Sequence, residues 1–280
     1  MSRLDAAFAP TWAGGWAASR LIFVFAAICA HLPRLFRIDD AYACRDMLFT
    51  RPPYSLADWV VWSPASATAV WALGALGIVG VAWGGAWFRL GLLAYLLGTW
   101  GLLAEEALNV KAHDRLALWV ALALFVSPAG ERGLSQKWRS PAGRWLMLIV
   151  FGWLYWSTGT LKATQEPGWW DGRALQLNLV HRFHAGGPLA LWLSGHRVVC
   201  RVLGWATVGF EMGSPFLLVW RRGNPWVLLV GAGFHLGILT MMNVGAFSFV
   251  ALSAYPVLLH PEVGRKLWER MSGMRPHIPR

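Results

Sequence analysis

Apolar residues fall in runs of roughly 20 that avoid charge. Runs of that length are read as membrane helices rather than as the alternating strands or narrow-striped helices of a soluble domain. They predict helices over Gly15–His31, Ala65–Trp83, Phe88–Asn109, Arg144–Lys162, Val198–Trp220, Trp226–Asn243 and Ala246–Leu259. A further run, Leu116–Ser127, is short for a span and reads as tilted or interfacial. The fold class expected is all-α: a polytopic bundle of about seven or eight hydrophobic helices. One transmembrane domain covers 1–262 and a basic tail covers 263–280. A polar, proline-bearing connector over Leu32–Ser63 would lie on the membrane surface. The weakly apolar stretch Ala163–Arg197, rich in His, Gly and Trp, is too polar to span and would form an external cap over the bundle. Gly74, Gly77 and Gly80 recur at a spacing of three, a pattern that lets helix backbones approach closely.

Composition supports the membrane reading. Of 280 residues, 56% are hydrophobic and only 14% charged, where a soluble domain has about 25% charged residues. The net charge of +11 is therefore a property of loops facing headgroups, and nucleic acid is not expected as a partner. The bilayer is the expected partner, and a multi-pass place in the cell membrane the expected location. The three cysteines, Cys29, Cys44 and Cys200, show no CxxC spacing and predict no disulfide framework. Met1-Ser2-Arg3 does not open a signal peptide, so the first apolar run reads as a retained helix. With eight crossings, the basic loops and tail would lie on the cytoplasmic side, with Lys162, Trp169–Gly172 and His113 opposite; the four arginines of the first connector break that rule.

Candidate chemistry rests on polar groups placed in apolar runs. A lysine near mid-bilayer costs roughly 2.5–3.5 kcal/mol on insertion scales and less at the edge. Lys162 snorkels to headgroups, pairs with an opposite charge, or does a job. Tyr155, Gly159 and Lys162, at i, i+4 and i+7, share one helix face. Desolvation pushes a lysine toward its neutral amine, a competent base. Glu211 in Gly-Phe-Glu-Met-Gly-Ser-Pro is either a neutral hydrogen-bonding group or the partner of Lys162. His235 in Phe-His-Leu-Gly-Ile-Leu is either a satisfied core residue or part of a site, sharing a face with Leu239 and Met242. Trp169 and Trp170 read as an interfacial anchor and Asp171 as a capping residue. No metal site is expected: there is no HExxH, and His181 with His184 lacks a nearby carboxylate or thiol. GxSxG, Walker and GxGxxG patterns are likewise missing, which leaves hydrolase, NTPase and dinucleotide readings without support.

Four motifs in order resemble the vitamin K-dependent gamma-carboxylase-like family, whose bacterial members are HTTM-domain proteins. They are Tyr-Trp-Ser-Thr-Gly-Thr-Leu-Lys at 155–162, Trp-Trp-Asp-Gly at 169–172, Phe-Glu-Met-Gly-Ser-Pro-Phe at 210–216, and the Phe-His-Leu-Gly to Phe-Ser-Phe stretch at 234–249. The resemblance is strong over about 145–262 and looser before it, where it rests on helix order and the Asn109–Asp114 region. It implies Lys162 as a catalytic base acting on a reduced quinone of the vitamin K type. His235, Glu211 and His113 would assist, and Tyr155, Trp169, Trp170 and Met242 would line the cofactor site. The departures redirect it. Leu161-Lys162 stands where the family has two lysines, and no large lumenal region follows the last apolar run. The expectation moves from carboxylating a propeptide-bearing substrate toward maturing a small secreted peptide. The rival reading is a non-enzymatic partner or transporter of a lipid or small peptide.

Overall fold

A computed structural model describes residues 11–38, 63–105, 112–130, 138–139, 141–181 and 186–272. Cys44, the connector over 39–62, the 106–111 stretch, Arg132 and Lys137 of the basic loop, His184, and the tail from 273 lie outside the described residues.

The described chain is all-α apart from one two-stranded ribbon, β1 (Thr11–Trp12) with β2 (Trp138–Arg139). The helices in order are α1 (Ala13–His31), continued by a 3₁₀ turn over Leu32–Arg37, α2 (Pro64–Trp83), α3 (Trp87–Glu105), α4 (Ala112–Phe125) and α5 (Ala142–Thr164). Three short helices follow: α6 (Gly168–Asp171), α7 (Arg173–Val180) and α8 (Pro188–Ser194). Then come α9 (Arg197–Val219), α10 (Asn224–Met241), α11 (Phe247–Leu258) and α12 (Pro261–Ser272).

The expected count of seven or eight hydrophobic spans does not hold. Among the described residues four segments are long and apolar enough to cross a membrane: Gly14–Arg37, Pro64–Trp83, Arg197–Val219 and Asn224–Met241. Length and polarity explain the shortfall. At about 1.5 Å per residue the 14 residues of α4 reach about 21 Å and the 12 of α11 about 18 Å, against a hydrocarbon core of about 30 Å. α3 offers only Trp87–Leu103 as a short apolar stretch. α5 has the length, 23 residues, but Ser157, Thr158, Thr160, Lys162 and Thr164 fill its last two turns. The eight crossings behind the orientation argument fall with the count. Four long apolar helices still make this a multi-pass membrane protein.

The chain divides into two compact units. The first comprises Met1–Gly143 and Gly245–Pro256. Its α2 opens on a reciprocal cap: the Ser66 N–H donates to Ser63 Oγ at 3.2 Å and the Ser63 N–H to Ser66 Oγ at 3.0 Å, with Pro64 setting φ. The glycine stripe brings α2 against α3. A Cβ on Gly80 would stand 2.9 Å from the Gly91 Cα, and one on Gly77 2.6 Å from the Gly91 carbonyl oxygen. Trp16, Phe23, Phe88, Leu92 and Tyr95 are fully buried in this unit. Two of its buried polar groups, Arg34 and His31, find partners across the unit. Arg34 donates to Asp114 at 2.5 Å, and His31 Nε2 lies 2.8 Å from the Trp71 carbonyl while the Trp71 indole donates back to the His31 carbonyl at 3.0 Å.

The second unit comprises Arg144–Val244 and Val257–Arg280. Here α9 turns Glu211 and Ser214 inward beside buried Cys200, Val208 and Leu218 and keeps an apolar outer face, as suits a helix bathed in lipid. It buries Gly204, Glu211 and Ser214 and exposes Val198, Val202, Trp205 and Phe216. The stretch expected as a cap is three short helices, α6 to α8. Leu179, Ala190, Leu193 and Cys200 form an apolar cluster that joins α7 and α8 to α9.

Candidate functional site

The site is built on one face of α5. Tyr155, Gly159 and Lys162 fall along it at successive turns, and each meets a different feature of the second unit. At the first turn the Tyr155 hydroxyl lies 2.8 Å from His235 Nε2 on α10. Both residues are buried. Phe210 packs its edge on Tyr155 with ring centres 5.3 Å apart, and Phe234 adjoins Phe210 at 5.1 Å. The aromatic residues that precede Glu211 and His235 in sequence thus build a wall beside Tyr155.

One turn on, Gly159 sets the distance between α5 and α9. A Cβ there would stand 2.9 Å from both Glu211 Cβ and Met212 Cγ, and 3.0 Å from the Met212 backbone nitrogen. That close approach lets the next residue on the face reach across. Lys162 Nζ donates to Glu211 Oε1 at 2.5 Å and to Oε2 at 2.7 Å. The lysine side chain is 19% exposed and the glutamate 6%. Lys162 lies in the last turn of α5, where the helix dipole favours a cation. Glu211 sits four residues before Pro215, which has no N–H to give the Glu211 carbonyl. The Ser214 hydroxyl donates to that carbonyl at 3.4 Å in its place.

The turn after α5 closes over the lysine. Trp169 is buried, with its ring centre 5.0 Å from Lys162 Nζ, a cation–π contact. Its indole N–H donates to Glu166 at 2.6 Å. The Trp169 carbonyl rests against Gly204, where a Cβ would come within 2.5 Å of it. Gly172 takes φ +87° and ends the turn, a left-handed conformation suited to glycine. Trp170 behaves differently. It is half-exposed, donates to the Ala163 carbonyl at 2.9 Å, and accepts the Trp205 indole N–H on its own carbonyl at 2.9 Å. Asp171 accepts the Arg173 backbone N–H at 3.0 Å and the Arg173 and Arg197 side chains at 2.5 and 3.4 Å. The Arg173 N–H first, then the two guanidinium groups, hold its carboxyl below the usual carboxylate range.

The structure therefore brings Lys162 to Glu211 and Trp169, and Tyr155 to His235, on one helix face. Met242 packs with the Leu179–Cys200 cluster instead. His113 is a residue of the first unit, where its Nε2 lies 3.3 Å from Asp114 and Gly245 packs on its ring. Sequence reasoning missed Glu166, Phe210 and Phe234. The two phenylalanines stand directly before Glu211 and His235, and that adjacency was the available signal. Glu166 lies beyond the end of the helix, in a turn with no periodic pattern to place it.

A bidentate lysine–carboxylate pair in a mostly apolar setting can pass a proton between its partners and hold a small anion on the ammonium. The aromatic residues beside it suit a flat, apolar molecule. No solved structure matches the chain. The sequence model of the HTTM domain matches residues 17–262, which includes every residue of this site. On that match the chain belongs to the HTTM-domain family, with the family-level link to gamma-carboxylase-like membrane proteins that the family carries.

Proposed function

We propose that this membrane protein is an enzyme in which Lys162 and Glu211 together remove a proton from a bound substrate. The observation that carries the reading is the bidentate contact at 2.5 and 2.7 Å between two largely buried ionisable groups. Buried pairs often add little stability compared with apolar residues of the same volume, so a pair kept in an apolar setting points toward use.

The pair's chemistry follows from its geometry. The proton on Nζ passes to a Glu211 oxygen along the 2.5 Å hydrogen bond, leaving an amine and a carboxylic acid. The amine then takes a proton from the substrate. The new ammonium faces the anion it has created, and Glu211 holds the first proton. Trp169 shields the pair, and Tyr155 with His235 fixes the helix face one to two turns away.

A reduced quinone of the vitamin K type suits the residue types present: Tyr155 on the face that carries Lys162, with Phe210 of α9 and Phe234 of α10 beside it, supplies flat apolar rings. When bound it would supply an acidic ring hydroxyl. The protein would work in the maturation of a small secreted peptide.

The test is turnover in proteoliposomes supplied with a reduced naphthoquinone, followed by oxygen uptake, with mass spectrometry of co-expressed secreted peptides. Lys162→Ala is expected to lower turnover by about 10² or more, the scale of a lost general base, while the protein still inserts. Full activity in that variant overturns the base assignment.

A further inference from the structure

The opposite end of α5 presents a buried cation with no counter-charge among the described residues. Arg144, in the first turn of α5, is 5% exposed. Among the described residues its one hydrogen bond is Nη2 to the Leu258 carbonyl at 3.5 Å, and its Nε makes none. Among the described residues no carboxylate pairs with it. The Leu258 carbonyl is itself shared, since the Asn224 amide donates to it at 3.0 Å and to the Leu218 carbonyl at 2.8 Å. Asn224 in turn accepts the His260 N–H at 2.6 Å. The His260 ring is buried, and its Nδ1 has no hydrogen-bond partner.

This network gathers three helix N-termini. α5 brings Arg144 in its first turn, α10 begins at Asn224, and α12 begins directly after His260. Each N-terminus carries roughly half a positive charge. The two helix C-termini nearby, of α9 and α11, already spend their Leu218 and Leu258 carbonyls on Asn224. At the rim Arg221 pairs with Glu262 at 2.8 Å, with side chains 57% and 38% exposed. The acidic charge there is already matched by Arg221, which leaves Arg144 unbalanced. Burying it uncompensated is costly, since the guanidinium gives up its hydration for no opposite charge.

We propose that Arg144, with His260 and Arg221 at the rim, binds a phosphate-bearing anion. The surroundings favour the headgroup of an anionic phospholipid over free phosphate. The turn between two membrane-spanning helices, α9 and α10, is flanked by exposed Trp220 and Trp226, residues typical of headgroup level. α12, which starts at this network, is strongly amphipathic, as suits a helix lying in the interface.

The experiment uses the full chain in nanodiscs and in neutral detergent. Native mass spectrometry with phosphatidylglycerol is expected to show one retained lipid per chain, and phosphatidylcholine none. Arg144→Gln is expected to weaken phosphatidylglycerol retention by about tenfold or more, the scale of one charged hydrogen bond. Arg144→Lys should keep part of the binding. Arg221→Gln, at an exposed position whose ion pair to Glu262 is solvated, should weaken it by about threefold. In phosphatidylcholine nanodiscs, inorganic phosphate should leave the melting temperature unchanged, whereas phosphatidylglycerol should raise it. A rise with phosphate alone assigns the site to the free anion. Equal retention of both lipids, with no shift from either anion and no effect of Arg144→Lys or Arg221→Gln, overturns the proposal.

Discussion

At its C-terminal end α5 holds Lys162 against both oxygens of Glu211, at 2.5 and 2.7 Å; at its N-terminal end it holds Arg144 against one shared carbonyl, at 3.5 Å. The two cations are 18 positions apart on one helix, about 27 Å along its axis. Among the described residues one has a neutralising carboxylate partner and the other does not. An internal partner makes a self-contained unit that can pass a proton within itself. A missing one leaves a charge to be answered from outside. The Arg34–Asp114 contact of the first unit belongs with the former, because its charge is also balanced within the fold.

The largest effect should come from breaking the internal pair on one side only. Lys162→Ala leaves Glu211 buried without its cation, which costs about 3–5 kcal/mol. Thermal unfolding should show the loss along with the loss of turnover. Replacing both, Lys162→Leu with Glu211→Leu, should restore most of the stability and none of the turnover. Recovered turnover in the double variant would show that the pair is structural.

Next in size is the spacing that lets the pair form. Gly159→Val would press on Glu211 Cβ and Met212 and push α5 from α9. About 1–3 kcal/mol of destabilisation is expected from such overpacking, with turnover falling further than stability. Unchanged turnover would mean that Lys162 reaches its substrate without Glu211.

At the other end, Arg144→Met should be neutral or stabilising when no anionic lipid is present, since removing a lone buried charge removes its desolvation cost. The melting temperature of that variant should no longer respond to phosphatidylglycerol. A strong destabilisation in phosphatidylcholine alone would show that the Leu258 carbonyl is partner enough.

Smaller still, Tyr155→Phe removes one hydrogen bond to a buried histidine and should cost about 1–2 kcal/mol. It tests whether the Tyr155–His235 contact only props the face that carries Lys162, in which case turnover falls no more than stability does. The smallest effect lies at Asp171. Its carboxyl titrates below the usual range in the folded protein, so its contribution is full above an unfolded value of about 4 and is lost as pH falls through the folded value. Acidification should loosen the Asp171 contacts to Arg173 and Arg197, seen as faster local hydrogen exchange over α6 and α7, and Asp171→Asn should remove that pH dependence.

Much of the candidate site was legible before any coordinates. The i, i+4, i+7 spacing put Tyr155, Gly159 and Lys162 on one face because helical geometry fixes which positions align. Pairing with Lys162 was one of two open readings for Glu211, the other being a neutral hydrogen-bonding group. The number of spans was not legible. Apolar runs announce helices, but whether one crosses a bilayer depends on where it starts and stops, and α4 and α11 stop too soon. Arg144 gave no signal, since an arginine next to a basic loop looks like an ordinary headgroup contact.

By itself the sequence determined that this is an all-helical membrane protein with a lysine at the end of an apolar helix, because hydropathy and helical period are local properties. Tertiary structure decided what each buried charge faces. Whether Lys162 snorkels or pairs, and whether Arg144 is answered or left bare, depends on residues 49 and 114 positions away in the chain. Electrostatic energy in a low-dielectric setting depends on distance in space, and spacing in the chain does not encode it.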